Sequence, residues 1–246
     1  YIHADHIIYS LYHGDRYLCD EKGIPKNKVT LIGQPMDCER YDENRERFDE
    51  LPDTIQQFVS EGFVCVFTGY YMEYDGVNVM LEAEKILQEK GLPIKMVFAG
   101  SGEEKDRMVR YVNDHKLKNV LIADRINKDL VPALLSHSDI CIAHCEFRGR
   151  EKVFKYGISK NKINDYLYSG APVLFGFRYG DNEVVESNAG LQFEPYNPED
   201  LAEKIIKIYE MTPEQRMRFG ENGKLQTRKN HDVRMLTDKL IAGLFI

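Results

Sequence analysis

The 246-residue sequence has no apolar run near the ~18 residues needed to cross a bilayer. Its start does not read as a signal peptide. It has no long Lys/Arg run, and 33 basic against 40 acidic residues leave a formal net charge of −7. That balance argues against nucleic acid as a partner, although Arg148-Gly-Arg150-Glu-Lys152 offers a local basic patch. Cys19, Cys38, Cys65, Cys141 and Cys145 are odd in number, scattered and without CxxC spacing, so neither a zinc site nor a disulfide framework is indicated. A reducing, cytosolic setting follows, with Cys65 and Cys141 inside apolar runs as small hydrophobes. No Asp-x-Asp stands in a loop to hold a metal. The nearest pattern, Asp181-Asn-Glu183, reads as the cap of a short helix. Repeats and low-complexity segments are absent. The first residue is not Met, so a piece of a longer protein is expected.

What is present is an ordinary globular composition, 43% hydrophobic and 30% charged. From about residue 60, short apolar runs alternate with helical patterns. The runs are Phe63–Thr68, Ile94–Gly100, Val120–Ala123, Ile140–Ala143, Pro172–Phe175 and Leu191–Phe193. They are continuous rather than alternating, as in parallel strands buried on both faces. Val77, Met80, Leu81 and Leu87 form a helical stripe ended by Gly91-Leu-Pro93. A helix after Ser101-Gly102 is expected to turn Met108, Val109 and Val112 inward, and a shorter one spans Asp129–Ser136. Asn197-Pro198-Glu199 caps a helix carrying Leu201, Ile205 and Tyr209, and Thr212-Pro-Glu-Gln215 reads as a capping box. Strand–helix–strand units of this kind predict an α/β, doubly wound parallel sheet with ligands at the strands' carboxyl ends.

The first sixty residues differ. Ala4–Leu11 and Val29–Gly33 read as strands, His13–Lys22 as a short helix, Cys38–Glu50 as a surface connection and Asp53–Ser60 as a helix. The final stretch, Asp232–Ile246, carries a Val233, Leu236, Leu240, Leu244 stripe.

The most informative segment runs from Tyr156 to Phe175. A polar turn with Ser159, Asn161 and Lys162 leads into a short helix, then a Gly-Ala-Pro bend into an apolar strand. A helix N-terminus offers unpaired N–H groups and partial positive charge to a phosphate. Lys162 adds a point charge, and Asp165, three residues on along one helical face, can accept sugar hydroxyls. Ser159 and Asn161 serve equally well as helix caps.

This segment resembles the donor-site element of nucleotide-sugar glycosyltransferases with the GT-B fold. In order and spacing, nearly the whole chain is similar to the C-terminal, donor-binding, Rossmann-like half of a retaining family 4 glycosyltransferase. Ala4-Asp-His-Ile-Ile8 resembles the last strand of an N-terminal domain, and Lys28-Val-Thr-Leu-Ile-Gly-Gln-Pro-Met-Asp37 the linker. Phe67-Thr-Gly69 with Gly76, and Val97-Phe-Ala-Gly-Ser-Gly102, resemble two glycine loops. Asp124-Arg-Ile126 falls where the family packs a loop on the base. Leu130-Val-Pro-Ala-Leu-Leu135 and Ser138-Asp-Ile140 follow the family's spacing. The turn Ser159-x-Asn161-Lys162 is similar to that of bacterial surface-polysaccharide transferases. The family's Arg and Lys after the first glycine loop are replaced by Tyr70 and Asp75. Of its two glutamates eight positions apart, the first becomes Gly157 and the second Asp165, with Glu146 an alternative for the first.

The resemblance implies a nucleoside-diphosphate sugar as donor and no separate cofactor or metal. It implies Lys162 and Asp165 as the catalytic pair, and donor contacts from Gly69, Tyr70, Gly100, Ser101, Gly102, Arg125, Ile126, Ser159 and Asn161 besides. It further implies residues 1–35 as remnant and linker, 36–229 as the donor-binding domain, and 230–246 as a helix across the interdomain cleft. The acceptor, a glycan or lipid-linked molecule, would be held by a further N-terminal domain, and this chain alone would bind donor without turnover. The full protein would be cytoplasmic, with peripheral membrane association. Two other readings stay open, a non-catalytic nucleotide- or sugar-phosphate-binding regulatory module and a GT-B nucleotide-sugar epimerase. Arg148, Arg150, Lys152 and Lys155 read as a solvated loop, and His144 as a packed residue rather than a base.

Overall fold

In the computed structural model, which describes residues 1, 3–145, 154–179 and 182–244, two short strands come first. β1 (Ile7–Tyr9) and β2 (Val29–Leu31) pair in parallel, with a π-helical stretch over Arg16–Glu21 between them. The stretch expected to be a surface connection instead holds helix α1 (Cys38–Asn44). The Asp37 side chain accepts from Arg40 N at 3.0 Å and caps it. Cys38 and Tyr41, three residues apart, are buried, and the Tyr41 ring meets Tyr168 edge-on at 5.1 Å. The charge of this segment hid a two-residue apolar stripe too short to register as periodicity.

Helix α2 (Asp53–Val59) leads into a six-stranded sheet. Its strands are β3 (Phe63–Tyr70), β4 (Ile94–Ser101), β5 (Val120–Ala123), β6 (Ile140–His144), β7 (Val173–Gly176) and β8 (Gly190–Phe193). All pair in parallel, in the order β5-β4-β3-β6-β7-β8. The sheet is doubly wound, as the continuous apolar runs predict. Successive side chains of β3 enter opposite cores: Cys65 and Phe67 face one, Val64 and Val66 the other. Helices α3 (Val77–Glu89), α4 (Lys105–His115) and, further along, α8 (Pro198–Tyr209) close the first core. Between them in sequence, α5 (Val131–Leu135) and α6 (Asn161–Ser169) cover the second, beside the short α7 (Glu183–Glu186).

On α4 the inward stripe is Met108 with Tyr111 and Val112, while Val109 stays 40% exposed. Met108 and Val112 are four apart and share a face, and Val109 is one step off it. The expected caps form: Asn182, Asn197 and Thr212 each accept from a first-turn N–H, and Thr212 with Gln215 completes a capping box at α9 (Pro213–Asn230). The last helix, α10 (Val233–Leu244), buries Leu236 but leaves Val233, Met235 and Ile241 exposed. No helix among the described residues is long and apolar enough to cross a membrane.

One buried group fits poorly. Glu84 on α3 is 0% exposed, neither carboxylate oxygen has a hydrogen-bond partner, and burial pushes its carboxyl up to about 9. The folded chain therefore keeps a proton that the unfolded chain releases near pH 4.5. Its contribution to stability is full in acid and is lost as pH rises through about 9. Replacing it with an apolar side chain removes an uncompensated polar group from the core. Glu84→Leu is expected to raise the thermal midpoint by roughly 2–8 °C at pH 7. Thermal scans from pH 5 to 9 should show the gain growing with pH.

Candidate functional site

β3 and β6 mark the point where the strand order reverses, and the crevice at their carboxyl ends is where open α/β sheets bind ligands. The β3–β6 ladder pairs Cys65 with Ile140 and Val66 with Cys141, whereas β3 continues beside β4 to Tyr70. Into the gap comes Tyr166 of α6. Its buried hydroxyl accepts from Thr68 N at 2.7 Å and donates to Thr68 O at 3.3 Å. A side chain thus completes β3 where the neighbouring strand does not, and this fixes α6 against the crevice.

The N-terminus of α6 opens at that point. Lys160 stands at the N-cap without a side-chain cap. Neither Ser159 nor Asn161 caps the helix: the Ser159 hydroxyl accepts from the Gln34 amide, and Asn161 is already the first helical residue. Lys160 Nζ and Lys162 Nζ both lie 2.9 Å from Asp75 Oδ1. Lys160 also donates to His144 O at 3.2 Å, and Lys162 sits 4.2 Å from the Phe67 ring centre. Burial pushes the Lys162 pKa down, against the opposing pull of Asp75. Gly69, at φ +133, leaves room for that ammonium, since a Cβ there would lie 2.8 Å from Lys162 Nζ.

A cavity of about 470 Å³ is lined by Gln34, Tyr70, Tyr74, Asp75 and Ser159–Lys162. Across Asn161 a second, of about 320 Å³, is lined by Asp165, Asn164, Lys128, Arg40 and Tyr41. A third, of about 570 Å³, meets the first at Gln34, Ser159 and Lys160 and continues over Phe175 and Phe177 to His231 and Met235. Three cavities therefore meet around one helix N-terminus. Burial pushes the Asp165 carboxyl up to about 6, with Lys128 partly offsetting it.

The structure thus gathers Tyr70, Ser159, Asn161 and Lys162 around one cavity, with Gly69 against Lys162 and Asp165 on the adjoining cavity. Tyr70 is 53% exposed at the rim. Gly100, Ser101 and Gly102 do not line these cavities. A Cβ on Gly100 would lie 1.8 Å from Gly69 O and one on Gly102 2.4 Å from Tyr71 N, while Ser101 O accepts from Tyr71 N at 2.7 Å. They seat the chain leaving β3 on the end of β4. Arg125 and Ile126 line a separate cavity of about 530 Å³ against Pro52, Ile55 and Leu121. His144 is fully buried, its Nδ1 2.8 Å from Tyr74 O, and Lys155 pairs with Glu21 at 2.8 Å. Glu146, Arg148, Arg150, Lys152 and Asp181 lie outside the described residues.

No sequence pattern marks Lys160, Lys128 or Gln34, and Asp75 stands in the sequence where the resemblance places a cation. Lys160 stands two residues from Lys162, a spacing that separates side chains on a helix. It converges only because it precedes the helix. Asp75 is 85 residues from Lys160, and no local signal joins them.

The family model for glycosyl transferases group 1 matches residues 52–226, well over half of the chain. The chain belongs to this family. Its sheet and flanking helices match GT-B glycosyltransferase domains. A glycosyltransferase from Rickettsia africae superposes with a TM-score of 0.73 at 16% identity, over 97% of this chain and 62% of that one. Anabaena Alr3699/HepE, solved with UDP, gives 0.74 at 16%, over 98% and 64%. Sucrose-phosphate synthase from Thermosynechococcus elongatus gives 0.70 at 18%, over 98% and 59%. The chain thus spans about three fifths of the length of these structures. Among curated proteins none matches it in sequence.

Removing the Tyr166 hydroxyl leaves Thr68 N–H buried without its partner, at a cost of about 1–3 kcal/mol. Tyr166→Phe is expected to lower the thermal midpoint by roughly 2–10 °C. Hydrogen exchange should show faster exchange at Thr68 and through α6, with β4 and β5 unchanged.

Proposed function

We propose that the chain is the donor-binding half of a retaining, family 4-type glycosyltransferase that moves a sugar from a nucleoside diphosphate to a glycan or lipid-linked acceptor. The observation carrying this is the convergence of Lys160, Lys162 and the uncapped α6 N-terminus at the strand-order reversal. Breaking the bond to the sugar builds charge on the departing diphosphate, and fixed cations and N–H groups in a half-buried site stabilise that charge best. Lys162 and Lys160 would meet the diphosphate, with Ser159 and Asn161 beside it, Tyr70 at the rim and Gly69 keeping the ammonium's place. Asp165, across Asn161, would accept the ribose hydroxyls as a carboxylate. Gly100, Ser101 and Gly102 would act indirectly, by holding Gly69 in position. Arg125 and Ile126 would reach the base only from the outer side of the loop whose Lys128 lines the Asp165 cavity.

Alr3699/HepE has been solved with UDP, with UDP and glucose, and with UDP-glucose. Its likeness in fold supports a nucleotide sugar as ligand here. The Ser159-x-Asn161-Lys162 turn supports a bacterial surface-polysaccharide role, in the cytoplasm and peripheral to the membrane. Residues 1–35 would be remnant and linker, 36–229 the donor-binding domain and 230–246 the cleft-crossing helix. The separate β1–β2 pair supports that division. A further N-terminal domain would supply the acceptor site, leaving this chain to bind donor without turnover.

Calorimetric titration with UDP, GDP and ADP tests the site. One nucleotide is expected to bind with Kd below about 1 mM, and Lys162→Glu to weaken it at least ~100-fold through loss of a charge-assisted contact and added repulsion. Failure of all three to bind would sink the proposal. Asp165→Asn is expected to cost about tenfold at pH 8. Because the Asp165 carboxyl titrates near 6, affinity for the matching nucleotide sugar, whose diester charge is constant over this range, should fall as pH drops from 7 to 5, and the Asn variant should lose that dependence. The folded carboxyl holds its proton more tightly than the unfolded one, so the same variant should melt higher at pH 8, with the gap closing toward pH 4.

A further inference from the structure

Asp75 is the charged group of the cleft that the proposed chemistry leaves unexplained, since a carboxylate beside a diphosphate repels it. It is 3% exposed, and one of its oxygens holds both lysines at 2.9 Å. Its backbone is also tightly seated. It ends the turn Glu73–Asp75, and the chain then passes through Gly76 at φ +69, where a Cβ would lie 2.5 Å from the His144 ring. The carboxylate is a fixed charge, and it sets the three-residue cluster at a net +1.

If the cleft takes nucleotide sugars, a reading on which this inference rests, two related ligands pass through it. The donor's diphosphate is a diester with two negative charges. The nucleoside diphosphate left after transfer has a free terminal phosphate, which loses its second proton near pH 6, so it carries about three charges at pH 8. Coulomb interaction scales with the product of charges. A fixed carboxylate therefore penalises the product by one charge more than the donor. We propose that Asp75 is a positioning and specificity-determining residue: it clasps Lys160 and Lys162 at one point and, by holding the site at a net +1 instead of +2, narrows the advantage that the more highly charged free nucleoside diphosphate has over the diphosphate diester. Transfer then leaves a product held less tightly than a bare two-lysine site would hold it.

The test is titration at pH 8 with UDP and UDP-glucose, or with GDP and GDP-mannose if guanine is preferred, reading the ratio of the two affinities. Asp75→Asn is expected to shift that ratio about tenfold toward the free diphosphate. Asp75→Glu should keep the ratio of the unaltered chain. Lys160→Gln, which lowers the charge instead, should shift it about tenfold toward the diester, and decides the question if Asp75→Asn does not fold. A purely structural role would change both affinities in parallel, and an unchanged ratio in Asp75→Asn and Lys160→Gln would overturn the proposal while leaving the nucleotide site standing. No nucleotide binding by the unaltered chain would overturn both.

Discussion

A single phenol hydroxyl decides where everything in the crevice sits. The sheet must divide between β3 and β6 for ligand space to exist, yet dividing a buried sheet strips strand partners from backbone groups in a dry interior. Leaving such a group unmet costs about 1–3 kcal/mol. Tyr166 resolves the conflict by meeting Thr68 N–H and C=O with one side chain. Because Tyr166 belongs to α6, the residue that closes the split strand also aims Lys162 and Asp165, four and one positions earlier on the same helix. Opening the sheet and placing the site are one structural event.

The charges at the site follow from that placement. Two ammonium groups forced together at a half-buried helix start would repel each other, and burial already lowers the Lys162 pKa. Asp75 makes the pair tenable, and Gly69 leaves its Cβ space to the Lys162 ammonium. Asp165 shows the opposite strain, a carboxyl pushed up to about 6 by burial with Lys128 in partial compensation. Groups whose ionisation is disfavoured by their surroundings are common where a ligand later supplies the missing counter-charge or hydrogen bonds.

The sheet was legible in the sequence because burial on both faces writes continuous apolar runs, and all six strands fall where those runs do. Caps at Asn197 and Thr212 were legible for an equally local reason. α1 was not, because its apolar stripe is Cys38 and Tyr41 alone amid charge, and its partner Tyr168 lies far along the chain. The polar turn into α6 was legible as a helix start. Its working partners were not, since Asp75 and Gln34 reach it from 85 and 125 residues away. Glycines show the limit most clearly. Gly69 and Gly100 carry the same pattern in sequence, yet one clears an ammonium and the other clears a backbone carbonyl.

Gln34 explains how the ends of the chain bear on this cleft. Its amide donates to Ser159 in the turn, and its backbone carbonyl accepts from Asn164 of α6 at 2.7 Å. The same carbonyl lies 3.1 Å from His231 Nδ1, where α9 gives way to α10. The His231 Nε2 pairs with Glu183 at 2.7 Å. Burial alone would lower the imidazole's pKa, but this carboxylate and the Gln34 carbonyl outweigh it and raise it. Met36 N donates to His231 O and Val233 N to Met36 O, so two residues beyond Gln34 the chain and the last helix are stitched backbone to backbone. The short stretch Gln34–Met36 thus touches the turn before α6, α6 itself and the root of α10. Gln34 therefore joins α10 and the segment after β2 to Ser159 and Asn164 through direct hydrogen bonds. The cleft at the start of α6 is built with contacts from segments outside the sheet that forms it.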